Sequence, residues 1–211
     1  MIRKLTQKEI DAFFLKLGEA QSPDVDIDFY EPTKEEMKLC KELVSIGVLD
    51  AMPKLPPPVL RAADPGDEER WTLLDVLHRT KTLAHFDAES GLFPVPYGEL
   101  LQESLIPIAS SLGRVVAGVG RKLEGEQCTY KIALLTKDAG VATAFTESSD
   151  YFHVPALIEL WNHLFEAKGS HKRFMEIESE DQTALILCAT PKAAKALAVK
   201  HGLEISLARD R

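Results

Sequence analysis

Between residues 129 and 208 the apolar positions change period repeatedly, and each change marks an element. In residues 129–136, Tyr130, Ile132 and Leu134 recur at every second position, which places them on one face of a strand. After Lys137, Asp138, Ala139 and Gly140 the alternation resumes with Val141, Thr143 and Phe145. This predicts a hairpin, with Gly140 able to supply the positive φ that short loops often need. Leu157, Ile158, Trp161, Leu164 and Phe165 then step by three and four, so a helix is expected over 155–168, with Pro155 in its first turn and Gly169 at its end. A second hairpin joins residues 174–178 to 183–189, and its unbroken run Leu185, Ile186, Leu187, Cys188 reads as a central strand covered on both faces. Thr190 caps the next helix, Pro191 opens it and Gly202 closes it. The alternating stretch 203–208 then completes a β-α-β unit. The two hairpin-plus-helix units share almost no identity, so they read as neighbouring units of one common type.

The first half reads as helical. Thr6 with Glu9, and Thr33 with Glu36, have capping-box spacing. Ile10, Phe13, Phe14 and Leu17 follow the first box, and Met37, Cys40, Leu43 and Val44 the second; Gly18 and Gly47 stand where these helices end. Further on, Leu73, Val76, Leu77, Leu83 and Ala84 predict a helix through residue 85. Leu105, Ile108, Leu112, Val116, Val119 and Leu123 predict another, with Ala109, Gly113, Ala117 and Gly120 as a small-residue groove along it. Pro53, Pro56, Pro57, Pro58 and Pro65 form the one linker-like stretch. The organisation expected is a helical portion over 1–52, a proline-rich linker over 53–70 and an α+β domain over 71–211, with all of it able to form one domain. The fold class is α+β: an antiparallel sheet of four to five strands from the C-terminal half, packed by helices, with an N-terminal helical portion.

The chain of 211 residues is 45% hydrophobic, enough to bury a substantial core. No leading basic-then-apolar segment and no apolar run near twenty residues occur, so neither secretion nor a membrane span is expected. Cys40, Cys128 and Cys188 lie far apart in apolar contexts, as buried thiols of a cytoplasmic protein do. They lack zinc-site spacing, and neither a metal nor a cofactor is expected.

The formal charge is −8. Its densest patch comprises Asp24, Asp26, Asp28, Glu31, Glu35 and Glu36, opposed only by Lys34. Such a field disfavours nucleic acid and suits a basic protein partner, so these six acids are the candidate partner-binding residues. The Asp24, Asp26, Asp28 spacing is that of a calcium loop, but Phe29 stands where that loop requires glycine. Val25, Ile27 and Phe29 also alternate with the acids as in a short strand.

Catalytic signals are sparse. Asp75, His78, Thr82 and His85 would share one stripe of a continuous helix, with Asp87 just beyond, and carboxylates beside imidazoles can bind a metal or move a proton. The stripe opposes the apolar face, which makes a solvated surface its simpler use. Gly113, Gly118 and Gly120 match neither a P-loop nor a dinucleotide fingerprint, and no Gly-x-Ser-x-Gly elbow is present. The reading is therefore a non-enzymatic, immunity- or inhibitor-like interaction factor that presents acids to a basic partner. The alternative is a small enzyme built around Asp75, His78 and His85.

Overall fold

Seven strands form two antiparallel sheets in a computed structural model of the chain, which describes residues 31–58, 60, 68–179 and 181–206. The capping box at residues 6–9, the helix after it and Asp24, Asp26 and Asp28 lie outside the described residues. The chain builds α1 (Lys34–Ser45), α2 (Glu68–Arg79) and β1 (Leu83–Asp87). A helical run, α3, begins as Tyr97–Leu100, widens to a π segment over Leu101–Leu105 and tightens again over Ile106–Ile108. Then come β2 (Val116–Glu124), β3 (Gln127–Leu135), β4 (Gly140–Glu147), α4 (Val154–Ala167), β5 (Arg173–Ile177), β6 (Thr183–Ala189), α5 (Pro191–His201) and β7 (Ile205–Ser206).

The α+β class and a four-stranded antiparallel sheet are as the pattern predicts, with order β1-β6-β5-β7. Strand β6 lies between β1 and β5, and all its residues after Thr183 are buried. Its even-numbered members Ala184, Ile186 and Cys188 enter the main core. Leu185, Leu187 and Ala189 point to the other side, where α1, α2 and α5 contribute Leu43, Leu74, Leu77 and Leu197 to the buried set. Strands β6 and β7 each pair antiparallel with β5, so the expected β-α-β unit exists with β5 between its two strands.

The two hairpins occupy different sheets, which corrects the single sheet expected for both. Strands β3 and β4 join β2 in a separate three-stranded sheet, order β2-β3-β4. Tyr130, Ile132 and Leu134 are buried on one face as predicted. Helix α4 lies against both sheets, contacting β3 and β4 in one and β5 in the other. Gly140 opens β4 without the positive φ expected of it, and a Cβ there would meet only the movable end of the exposed Leu135 side chain, at 2.7 Å, and the Leu134 carbonyl oxygen at 3.6 Å.

Two predicted helices are cut short. The one through residue 85 ends at Arg79, where Lys81 takes a φ of 54° and turns the chain into β1. Leu83, Ala84 and their neighbours are taken by the edge of β6, from Leu83 opposite Leu187 to Asp87 opposite Thr183. The helix expected over 105–123 stops before Gly113, whose φ of 78° few other residues tolerate, and Val116–Glu124 becomes strand β2. The small-residue groove therefore does not form: Ala117 and Gly120 stand on β2. Ala117, Val119 and Leu123, by contrast, are separated by two and four as alternation requires, and the long pairing with β3 decides for the strand.

An Arg79 side chain that is fully buried joins α1, α2 and the proline-rich segment. Its Nε lies 2.7 Å from Asp75 Oδ2, its Nη2 bonds Glu36 Oε1, and its Nη1 donates to the Pro56 carbonyl at 2.6 Å. The second oxygen of Glu36 accepts the Thr33 N–H at 2.7 Å, and Thr33 Oγ1 accepts from the Glu36 N–H, closing the predicted capping box.

Two stability measurements check this architecture. Ile186→Asp places an unpaired charge in the main core, so it should unfold the chain or lower its melting temperature by roughly 10 °C or more, at about 3 °C per kcal/mol. A shift of only a degree or two removes β6 from the centre of its sheet. Arg79→Leu leaves two buried carboxylates without their cation and should cost about 3–5 kcal/mol in urea unfolding.

Candidate functional site

The residues singled out in the sequence separate in space. Among the acids expected to face a partner, Glu31 and Glu35 are exposed, but Glu36 is buried by its cap and by Arg79 and is corrected to a structural residue. The Asp75, His78, Thr82, His85 stripe is corrected too, because no helix continues past Arg79. Asp75 is buried and engaged on both oxygens, by Arg79 and by the Leu60 N–H at 2.8 Å. Thr82 is buried in the turn before β1. His78 on α2 and His85 on β1 remain electrostatic neighbours, and the His85 ring meets Trp71 edge-on at 6.2 Å. The carboxylate that acts on His85 is Asp181, since Asp75 of the predicted stripe is committed to Arg79 and Leu60. Among the described residues, no group of three or more His, Cys, Asp or Glu side chains could hold a metal.

Asp87 belongs to a different constellation. It ends β1, and its Oδ1 accepts the Glu89 N–H at 2.9 Å. Glu89 pairs with Tyr151 through a β-bridge, and the Tyr151 hydroxyl donates to Glu89 Oε2 at 3.2 Å. The Ser90 N–H and hydroxyl both reach the Asp150 carbonyl, at 2.8 and 2.7 Å. Partial desolvation first, then the Glu89 bond and the charges of Glu89, Asp150 and Asp87, hold the Tyr151 phenol above its ordinary range. Three carboxylates therefore act on one exposed tyrosine.

Beside this cluster opens a recess of about 570 Å³, walled by the 91–94 loop, the β2–β3 turn and the segment after β4. Phe93, cis-Pro94 and Leu123 supply its apolar surface, Ser148 and Ser149 its hydroxyls, and Glu126 and Asp150 its charge; among the described residues no basic one lines it. Phe93 and Leu123 are unusually open for large apolar side chains, at 40% and 55% exposure, and the adjoining Leu92 is 59% exposed.

Two buried tyrosines hold the walls in place. The Tyr130 hydroxyl accepts the Val95 N–H at 2.6 Å, just beyond the cis-Pro94 bond, and the Tyr97 hydroxyl accepts the His153 N–H at 2.8 Å. Their rings meet at 4.7 Å, and Phe152 packs on Tyr97 at 5.4 Å. Burial, then the hydrogen bond with Cys128, push the Tyr130 phenol up to about 12; burial also raises Tyr97 strongly. Both stay neutral at ordinary pH and serve as fixed acceptors for loop backbone. Sequence reasoning placed Tyr130 on the buried face of its strand and singled out Asp87. It missed the recess because three distant segments build it. Its one local signal is the run Leu92, Phe93, Pro94, apolar residues in a loop.

Compared with protein-family models, with curated proteins and with solved structures, the chain matches none. No helix among the described residues is long and apolar enough to cross a membrane.

Removing the Tyr130 hydroxyl should strand the buried Val95 N–H. Tyr130→Phe is therefore expected to lose about 1–3 kcal/mol in urea unfolding. A pH series tests the histidine pair. Burial, and then the neighbouring His78, hold His85 below its ordinary pKa, against a smaller opposite pull from Asp181. Such a base is protonated first in the unfolded chain, so stability should be unaffected above about pH 6.5 and should fall as pH drops through that value. In His85→Phe the fall between pH 7 and 5.5 should be shallower; an unchanged slope would assign that pH dependence to other groups.

Proposed function

We propose that this chain is a non-enzymatic cytoplasmic interaction factor, immunity- or inhibitor-like in its mode of action, that offers an acidic surface to a basic protein. The observation that carries the proposal is the recess. Apolar side chains stand open to solvent there, Glu126 and Asp150 line it without a base, and Asp87 and Glu89 sit beside it. An apolar centre with a charged rim is the composition of a protein-binding patch, and charge of one sign selects partners of the other. Glu31 and Glu35 are exposed acids outside the recess, and in this proposal they and Asp24, Asp26 and Asp28 add to the negative charge offered to the partner. Three free thiols, all buried, suit a reducing compartment. The enzyme reading around Asp75, His78 and His85 receives less support, since Asp75 is committed to Arg79 and Leu60.

Fluorescence anisotropy with labelled peptides tests the proposal. A peptide alternating Lys with Leu or Phe should bind, and its Glu-containing counterpart should not. Glu126→Gln with Asp150→Asn should weaken binding at least five-fold and flatten its salt dependence, whereas Leu123→Ser should weaken it at every salt concentration. Replacing Asp24, Asp26 and Asp28 by Asn measures their share separately, as a slower association rate with unchanged folding. Equal affinity for the basic and acidic peptides would refute the reading.

A further inference from the structure

Strand β2 carries an edge that no strand among the described residues uses. It pairs with β3 over nine residues, and among the described residues no strand pairs with its other side. All of its residues except Ala117 are exposed. The outer edge of such a strand is a row of backbone donors and acceptors ready to pair with another chain. Apolar exposure gathers at the same place: Val116 and Val119 are 51% and 39% exposed, and Leu123 ends the row. The two glycines of β2 are not required by packing among the described residues. A Cβ at Gly118 would meet nothing within 4 Å, and one at Gly120 would meet only the Lys131 carbonyl oxygen at 3.9 Å.

We infer that β2 pairs antiparallel with β2 of a second copy of this chain, joining the two three-stranded sheets into one of six strands about a two-fold axis at Val119. The occupant and the register follow from charge and face. Ala117, Val119, Arg121 and Leu123 share a face with the buried residues Leu134, Ile132, Tyr130 and Cys128 opposite them. Keeping that face continuous requires these odd positions to oppose odd positions of the second copy. An axis at Arg121 would oppose two guanidinium groups, and one at Gly120 would leave them diagonal neighbours. An axis at Val119 carries them apart and sets Val119 against itself and Gly118 against Gly120. Continued past the strand, it brings Leu123 to Val115 and Glu124, which in the single chain pairs with Lys122 at 2.5 Å, to Arg114; Val115 and Arg114 both lie just before β2. The strand is thus complementary to itself, as an isologous interface requires. A basic partner strand would instead meet Arg121 and Lys122. A ladder of this length covers less than the roughly 800 Å² per partner of a stable interface, so the dimer should be concentration-dependent.

Sedimentation equilibrium of the full chain over a wide concentration range tests this, with circular dichroism confirming that each variant folds. The wild type should shift from monomer to dimer as concentration rises. Val119→Lys, at an exposed position, should abolish the shift by placing two ammonium groups on the axis. Arg114→Glu and Glu124→Arg should each weaken association at least five-fold, and the double variant should restore it. A monomer at every concentration, a dimer indifferent to Val119→Lys, or a double variant no better than the single ones would overturn the inference. Val119, Arg114 and Glu124 do not line the recess, so peptide binding there succeeds or fails independently of these results.

Discussion

Everything else in this fold depends on α4 having two sheets to bury it. Eight of its fourteen residues are buried, a share that a single apolar stripe on one sheet would not require. Leu157, Ile158, Trp161, Leu164 and Phe165 belong to one core with Tyr130 and Ile132 of the three-stranded sheet and Ile186 of the four-stranded one. Trp161 and Phe165 meet Phe174 of β5 at ring distances of 5.1 and 5.3 Å. Asn162, also buried, pins the helix to the same residue: its side chain accepts the Phe174 N–H at 2.8 Å and donates to the Phe174 carbonyl at 3.0 Å. A polar group placed so deep adds direction to what hydrophobic burial alone leaves loose, because only one position of the helix satisfies both bonds.

The opposite face of the four-stranded sheet is closed by a different kind of contact. Helices α1 and α2 bury Cys40, Leu43, Leu74 and Leu77, and Arg79 fixes them to each other and to Pro56. Two carboxylates and one guanidinium, all nearly withdrawn from water, gain little net stability over an apolar set of the same volume, yet losing any one of them is expensive. The same Glu36 that caps α1 also binds Arg79, so formation of the helix end and docking of the helix are a single event.

These two layers explain what could be read from the sequence. Elements whose period and caps agreed with their tertiary partners were legible: α4, α5 with Thr190 as its cap, the hairpins β3–β4 and β5–β6, and the double burial of β6. Strands β1 and β2 were not, because Leu83–Asp87 and Val116–Glu124 are spaced acceptably for helix and strand alike, and only pairing with β6 and β3 separates the two. The same ambiguity produced the Asp75–His85 stripe. Glu36 and Asp75 were read as surface acids because nothing local announces that Arg79, 43 residues after one and four after the other, will fold over both. The recess was invisible for a related reason: its walls meet only after Tyr97 and Tyr130 have drawn two loops inward.

The open recess and the open edge of β2 have a common physical origin. Helices α3 and α4 cover the inner face of the three-stranded sheet over β3, over β4 and at the Ala117 end of β2, where Ala117 itself packs on the core. Beyond that point the cover ends, so Val119 and Leu123 share a face with buried Ile132 and Cys128 yet stand in solvent. The 91–94 loop reaches the far end without filling it, which leaves the recess between Phe93 and Leu123. A sheet wider than its helical cover must expose apolar surface, and here the surroundings divide that surface by charge: acids about the recess, Arg121 and Lys122 along the strand. One side of the uncovered strip is therefore acidic and the other basic, and Leu123 belongs to both, lining the recess near the end of the strand.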